Sequence, residues 1–277
     1  MTVIRETLLA PQPAPPDIAR SWTGARITGH ALMTFWVTAG VFLVWWLIGA
    51  WDIAFVERYL PRYLNGLSIT LTLVGISIVL GAILSLPLAF MRMSSNAVLS
   101  GIAYGYVYFF RGTPLIAQLF LIYYGFGTFR AEMEAVGLWW FFRDAWNCAL
   151  FAFTLNTAAY QAEILRGAIE SVKKGQWEAG DALGLTKPQT FRKIILPQAM
   201  IVALRPYGNE IILMIKGSAI VAIVTVFDLM GETRRAFSRT FDFQTYLWAA
   251  VFYLVIVETL RIALDRIERR LTQHLVR

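Results

Sequence analysis

The sequence holds few residues that could catalyse a reaction or bind a metal. Its two histidines, His30 and His274, lie near opposite ends of the chain, and Cys148 is its one cysteine. Neither a His/Cys metal site nor a disulfide framework is therefore expected. The sequence also lacks a Gly-Lys dipeptide, which a G-x-x-x-x-G-K-[ST] phosphate loop requires. We predict no catalytic residue, no cofactor site and no metal site on this chain.

Polar side chains inside apolar stretches indicate chemistry of another kind. An ionisable group in a bilayer costs about 2.5–3.5 kcal/mol on insertion scales, so each one is a functional candidate. The candidates for a substrate site or translocation path are Glu210, Asn209, Asn156, Gln161, Glu163 and Lys216. For three of them, the alternative to contact with substrate is a structural role. Glu210 is hydrogen-bonded by a partner subunit or by backbone, Glu163 pairs with Arg166 three residues on, and Asn156 bonds across helices.

The elements that must position these residues are membrane helices. Hydrophobic residues make up 57% of the 277 and charged residues 16%, whereas soluble domains carry about a quarter charged residues. Several stretches can cross a hydrocarbon core of about 30 Å. The predicted spans are Ala31–Ala50, Leu67–Phe90, Gly112–Phe129, Ala145–Glu163, a span within Ala199–Phe227, and Phe243–Leu264. We predict an all-α membrane protein with six transmembrane helices.

Proline and glycine divide two of these stretches. The segment Arg111–Pro114 suits a helix start, so Val98–Phe110 is predicted to be a helix at the inner surface; a single bent, over-long helix is the alternative. Arg111 is expected to extend towards lipid headgroups. In the fifth span, Pro206 and Gly208 are expected to interrupt the helix and leave backbone groups free, as in many polar translocation paths.

The net charge of +7 is explained by membrane orientation. Lys and Arg gather before the first span, between the fourth and fifth spans, and at the C-terminus, whereas the opposite loops carry balanced charges. The positive-inside rule then predicts that both termini and residues 170–197 are cytoplasmic. No basic helix or stacking platform interrupts the apolar runs, so the cations are expected to meet membrane lipid rather than nucleic acid.

Residues 170–197 form a hydrophilic segment between two apolar stretches. The pattern predicts two short helices, the first ending at Gly184 because Gly accepts the left-handed conformation. Thr186 and Gln189 are spaced as a capping box for the second helix, and Pro197 is expected to interrupt it. Such an amphipathic segment either rests on the bilayer or inserts into a groove on another protein.

The spacing within this segment resembles a known motif. Glu178-Ala179, Gly184 and Ile194-x-Leu196-Pro197 match the EAA loop of ATP-binding-cassette (ABC) importer permeases, which in that family inserts into a cleft of the ATPase subunit. The resemblance assigns ATPase coupling to Glu178, Ala179, Gly180, Ala182, Gly184, Ile194, Leu196 and Pro197. Gly180 stands where the family usually has Ala, and we expect it to loosen that turn.

Other stretches extend the resemblance from about Leu67 to the C-terminus. FRGTPLIAQLFLIYYG, LNTAAYQAEILRGAI and NEIILMIKGSA look like the polar amino-acid branch, and CALFAFTLNTAAY with the basic C-terminal end resembles its histidine, lysine, arginine, ornithine and opine subgroup. This implies a type I importer core of five helices plus one extra N-terminal helix. The implied division is a tail at 1–30, the extra helix at 31–51, the transmembrane domain at 67–265 with coupling loop 170–197, and a tail at 266–277.

The resemblance also implies a function and partners. The chain would be the permease subunit of an importer that moves a polar, basic amino acid or opine across the bacterial inner membrane by alternating access. Two ATPase copies would bind ATP and Mg, a second homologous permease chain would complete the pore, and a periplasmic solute-binding protein would deliver substrate. A heterodimer is favoured over a homodimer. The alternatives are a permease for a neutral or acidic amino acid such as glutamine or glutamate, an autonomous secondary transporter, and a membrane scaffold.

Overall fold

The computed structural model describes residues 22–49 and 52–272, and the regular structure in these ranges is helical. Contacts divide the chain into two units between Asp52 and Ile53. The helices are α1 Gly24–Gly49, α2 Ile53–Arg92, α3 Ala97–Gly112, α4 Leu115–Thr128, α5 Arg130–Ala135, α6 Trp139–Phe142, α7 Ala145–Glu170, α8 Lys174–Ala182, α9 Lys187–Val224, α10 Leu229–Thr240 and α11 Gln244–Thr272.

Helix α1 belongs to the first unit. Its 26 residues span about 39 Å at 1.5 Å per residue, and none of them is buried. The helix includes the part of the predicted first span that the structure describes and begins seven residues earlier, at Gly24. Such a helix, apolar on all sides, is typical of a membrane span.

Helix α2 is longer than the predicted second span. It has 40 residues and contains Pro61 and Pro87, whereas the prediction began at Leu67. The additional residues are helical because Tyr59 and Tyr63, 3% and 2% exposed, pack in a cluster with residues of α10 and α11. The residues before Leu67, which the prediction left outside any span, are therefore largely helical, and they are stabilised by tertiary contacts that the apolar pattern does not reveal.

The long apolar stretch after α2 is divided where predicted, between Gly112 and Leu115. The placement of its first part differs from the prediction. The Tyr106 hydroxyl donates to the Leu155 carbonyl at 2.7 Å, and the Phe110 carbonyl accepts from Asn156 at 3.1 Å. Because Leu155 and Asn156 lie midway along α7, the second half of α3 contacts the centre of the bundle rather than its inner end.

Helix α7 is the central element of the second unit and packs most extensively against α2. Asp144 caps its first turn by accepting from the Asn147 N–H at 3.0 Å, which satisfies an otherwise unpaired donor. Its buried face is rich in small residues, among them Ala149, Ala152, Ala158 and Ala162. Small side chains allow neighbouring helix backbones to approach closely.

Within residues 22–49 and 52–272, four helical stretches are long and apolar enough to cross a membrane: α1, the Glu57–Arg92 part of α2, α9 and α11. Helix α4 is shorter, and α7 carries several polar residues. The all-helical membrane fold agrees with the prediction, whereas the number of six spans remains a prediction. Helix α11 extends to Thr272, beyond the Leu264 at which the sixth span was predicted to end.

Candidate functional site: the coupling segment and the polar layer

The coupling segment, residues 170–197, leaves α7, forms α8 and joins α9. Glu178, Ala179, Ala182 and Gly184 are exposed, and Leu183 is 73% exposed. Trp177 and Phe191 face inward, with stacked rings 6.4 Å apart. The segment is therefore a hairpin with one face packed on the bundle and one face free for a partner.

Both predicted local signals of this hairpin are confirmed. Gly184 has a φ of +70°, and the N–H groups of Leu185 and Gly184 donate to the carbonyls of Gly180 and Asp181, each at 3.0 Å. This pair of bonds is the Schellman arrangement that ends helices at glycine. At the next helix, Thr186 and Gln189 form the predicted capping box, with the Thr186 N–H 2.9 Å from Gln189 Oε1.

Gly180 has a different role from the one predicted. It is buried, and a Cβ atom added to it would lie 2.4 Å from Cγ2 and 2.5 Å from Oγ1 of Thr190, far inside van der Waals contact. The missing side chain therefore lets α8 pack tightly against the first turn of α9. The prediction that Gly180 loosens the turn is wrong, because Thr190 fills the space that a methyl group would occupy.

Pro197 does not interrupt the helix, contrary to the prediction. Residues Phe191–Ile195 form a π-helical turn, and the Leu196 N–H bonds to the Phe191 carbonyl five residues earlier. This wider turn precedes the proline, whose ring would clash with a carbonyl in regular α-helix. The second predicted short helix is thus the beginning of α9, and Ile194 and Leu196 are half-buried on it.

A buried polar layer joins α2, α7 and α9 and contains two of the predicted path residues. The Thr157 hydroxyl donates to Glu210 Oε1 at 2.9 Å. Gln161 Nε2 lies 3.1 Å from Thr157 Oγ1 and 3.1 Å from the Ile78 carbonyl. Glu210 is only 5% exposed, so in this chain both side chains serve to connect helices.

Asn156 is likewise occupied inside the chain. Its Nδ2 donates to Gln118 Oε1 at 3.0 Å and to the Phe110 carbonyl, and Gln118 also donates to the Thr113 hydroxyl at 2.8 Å. The predicted cross-helix bond is confirmed. It ties α7 to the break between α3 and α4, where the chain leaves backbone carbonyls without helical partners.

Glu163 lies in a cluster of arginines. Its carboxylate bonds Arg92 at 3.0 Å and Arg166 at 2.8 Å, and Arg111 approaches it to 3.8 Å. The predicted pair with Arg166 is confirmed, and the structure adds two arginines from α2 and α3. Arg111 was expected to extend towards headgroups; its guanidinium instead lies 5.2 Å from the ring centre of Tyr160 on α7.

The remaining two candidates lie on the outer face of α9. Helix α9 continues through Pro206, so the predicted interruption is wrong; Gly208 is buried against Leu264 of α11, 2.9 Å from the position of its missing Cβ. Residues spaced three or four apart along the other face form the exposed stripe of α9, which consists of Val202, Arg205, Asn209, Leu213 and Lys216. Lys216 is thus exposed and Glu210 buried, on faces about 120° apart at 100° per residue.

Sequence reasoning missed several residues that organise this site. Thr157 and Gln118 carried a signal, since each is a polar side chain within an apolar helix. Gly81 and Arg92 carried none, because their partners are distant in sequence. A Cβ on Gly81 would lie 2.4 Å from Thr157 Cγ2, so this glycine permits the close contact of α2 and α7.

Comparison with known protein families identifies the family to which a chain with this arrangement belongs. Residues 77–273 match the family of binding-protein-dependent transport system inner membrane components. The chain belongs to this family. This permease is therefore an inner-membrane subunit of an ABC importer and not an enzyme, and it works with a separate ATPase and a binding protein.

Related permeases align with about three quarters of this chain. It is 43% identical to the nopaline transport system permease protein NocM of Agrobacterium fabrum over 206 residues, which is 74% of this chain and 86% of NocM. It is 37% identical to the arginine ABC transporter permease protein ArtM of Escherichia coli over 213 residues, 77% of this chain and 96% of ArtM.

Two solved structures share the fold of this permease. A crystal structure of an amino acid ABC transporter with histidines superposes with a TM-score of 0.70 and 35% identity, covering 79% of this chain and 99% of the other. A structure of the MetNI methionine ABC transporter gives a TM-score of 0.60 at 23% identity, covering 79% and 97%. The second likeness concerns the fold alone.

Proposed function

We propose that this permease carries a basic amino acid or an opine into the cell, driven by ATP hydrolysis on partner subunits. The observation that carries the proposal is the continuous helix α9, which runs from the exposed coupling hairpin at Lys187 to the level of Glu210 and beyond. Movement of the hairpin is thereby transmitted to the membrane region without an intervening loop. The names of NocM and ArtM, which refer to nopaline and arginine, support the substrate class.

In the proposed mechanism, two ATPase subunits bind ATP and Mg, close, and move the exposed face of the hairpin. Helices α7 and α9 then rock together, because the hairpin joins their ends and the Thr157–Glu210 bond holds their centres. This motion opens a central cavity alternately to the two sides of the membrane. Hydrolysis returns the subunits to the starting state, and no covalent chemistry occurs on this chain.

The exposed stripe of α9 is the proposed wall of that cavity. Arg205, Asn209 and Lys216 are polar and face away from the core of this chain. Polar side chains at membrane depth generally face a water-filled path or another protein chain. We assign this stripe to the path and to the contact with a second, homologous permease chain, with a heterodimer favoured. Both termini and the hairpin are proposed to be cytoplasmic, as the charge distribution predicts.

The test is co-purification of the full transporter from membranes, followed by an ATPase assay. Gly184→Arg places a large cation on the exposed hairpin, where Gly184 has open space around it. We expect the variant to lose the ATPase subunit or to lose stimulation of ATP hydrolysis by substrate-loaded binding protein.

Gly184→Ala is the matched control. Like Gly184→Arg, it places a Cβ on a residue whose φ is positive, which costs about 1–2 kcal/mol, but it adds no large side chain and no charge, so coupling should survive. An ATPase that fails to accompany the wild-type chain would contradict the proposal and direct attention to proton- or sodium-coupled uptake by this chain alone.

A further inference from the structure

The arginine cluster around Glu163 contains more positive than negative charge. Both carboxylate oxygens of Glu163 are occupied, Oε1 by Arg92 at 3.0 Å and Oε2 by Arg166 at 2.8 Å. Arg166 also binds Glu170 at 2.6 Å. Arg92 and Arg166 together with Glu163 and Glu170 are neutral, so the positive charge of Arg111 is not balanced within the cluster.

Arg111 is held in place without being hydrogen-bonded. Its closest approach to Glu163 is 3.8 Å, beyond the usual N–H···O distance of about 2.7–3.2 Å. Its guanidinium lies against the Tyr160 ring, and its side chain is 44% exposed. Among the residues that the structure describes, none accepts a hydrogen bond from this guanidinium, so its donors are available to a ligand.

Two cavities meet at this side chain. One of about 390 Å³ lies between α7 and α9, with Arg111, Tyr160 and Glu163 on one side and Val202 and Pro206 of α9 on the other. The other, of about 320 Å³, lies between α3 and α7 and shares the same three residues. These volumes fall at the lower end of the range of about 300–1,000 Å³ that is typical of small-molecule sites.

We infer that Arg111 binds the α-carboxylate of the amino acid in transit, in the cavity between α7 and α9. This inference rests on the proposed function. A planar guanidinium binds carboxylates through two parallel hydrogen bonds, and the cavity reaches the exposed stripe of α9 at Val202. Arg111 therefore recognises the group that all transported amino acids share, and selection among side chains is left to other contacts.

The test uses the intact complex of permease and ATPase subunits in nanodiscs. The dissociation constant is measured for an amino acid that the wild type transports and for its carboxamide, which keeps the side chain but lacks the carboxylate. We expect Arg111→Gln to weaken binding of the amino acid about tenfold or more, since hydrogen bonds to charged groups are strong. Binding of the carboxamide should not change.

Two further variants make the result specific. Arg111→Lys keeps the charge without the planar fork and should weaken amino-acid binding by a smaller factor; it also carries the test if the Gln variant fails to assemble. Arg130→Gln removes another exposed arginine, one paired with Glu134 and outside these cavities and the α9 stripe, and should leave the ratio of the two dissociation constants unchanged.

The inference is overturned if Arg111→Gln weakens both ligands equally, because Arg111 would then only support the fold. It is also overturned if neither ligand is affected, and loss of a co-purifying anionic lipid in that case would show that Arg111 binds a headgroup phosphate. Wild-type complex that hydrolyses ATP but shows no response to any amino acid overturns the proposed function itself, and this is visible before any variant is compared.

Discussion

The coupling segment and the buried polar layer are constructed in different ways. In the coupling segment, the bonds that define the hairpin join residues three to five apart, such as Leu185 to Gly180 and Thr186 to Gln189. In the polar layer, Thr157 bonds a residue 53 positions away and Gln161 one 83 positions away. One region is organised by local chain geometry and the other by helix packing.

This difference has a functional consequence. A hairpin maintained by its own caps keeps its shape while one face stays exposed, so it is able to engage a partner without losing structure. The polar layer has no exposed face, and its bonds join α2, α7 and α9 into one body. The permease therefore combines a locally stable exposed surface with a group of helices joined by buried hydrogen bonds.

The comparison predicts the largest loss of stability at Glu163, where one carboxylate serves several arginines. We expect Glu163→Ala to lower the free energy of unfolding by about 3 kcal/mol, at the low end of the range for buried ion pairs, because Arg92 loses its carboxylate partner whereas Arg166 keeps Glu170. The control is Glu134→Ala, since Glu134 pairs with Arg130 on the surface, where such pairs contribute about 1 kcal/mol or less. Equal losses in unfolding experiments in one detergent would contradict this distinction.

Asp228 caps a helix, which is a local role, and is buried by tertiary packing. Its pKa reports the burial separately from the cap. It caps α10 through the Gly231 N–H at 2.8 Å, but complete burial against α2 raises the pKa of its carboxyl from 3.8 to about 6. The folded protein therefore binds an extra proton between pH 4 and 6, and this group makes stability fall as the pH rises through that window.

At 1.4 kcal/mol per pKa unit, the Asp228 contribution amounts to at most about 3 kcal/mol. Asp228→Asn should remove this part of the pH dependence while keeping a capping oxygen. The measurement is the difference in unfolding free energy between variant and wild type at pH 4, 5, 6 and 7. A difference that does not change with pH would show that the carboxyl titrates normally.

Close packing of α2 on α7 predicts an effect of about 2 kcal/mol. Gly81→Val should destabilise the protein by overpacking, because its added Cβ would lie within 3.0 Å of both Thr157 and Gln161. Gly75→Val on the same helix is the matched control, since a Cβ there meets nothing within 4 Å. Comparable losses for the two variants would mean that helix propensity, and not packing, determines the result.

The smallest effect is expected inside the coupling segment. Gly180→Ala should cost about 1 kcal/mol by forcing Thr190 to move, and Thr190→Ala should relieve that cost because it removes Oγ1 and Cγ2. A double-mutant cycle on unfolding free energy should give a favourable coupling of at least about 0.5 kcal/mol. Additive effects would indicate that Gly180 and Thr190 act independently.

Predictions from the sequence were correct where local contacts determine the structure and failed where distant contacts do. The end of α8 at Gly184, the capping box at Thr186 and the start of α7 after Asp144 are all determined by a few neighbouring residues. Predictions failed at Gly180, Pro197 and Pro206, where a general property of the residue type was outweighed by its surroundings. A preceding π turn accommodates Pro197, and Thr190 occupies the space beside Gly180.

The sequence by itself determined that this is a helical membrane protein with a hydrophilic hairpin between two apolar stretches, because apolar runs and caps act over a few residues. Only the tertiary structure decided which polar residues are exposed and which connect helices. Glu210 and Asn209 are adjacent in sequence, yet Glu210 is buried against Thr157 and Asn209 is exposed. The rotation of about 100° per helical residue separates them, and the packing of α7 and α11 determines which face is covered.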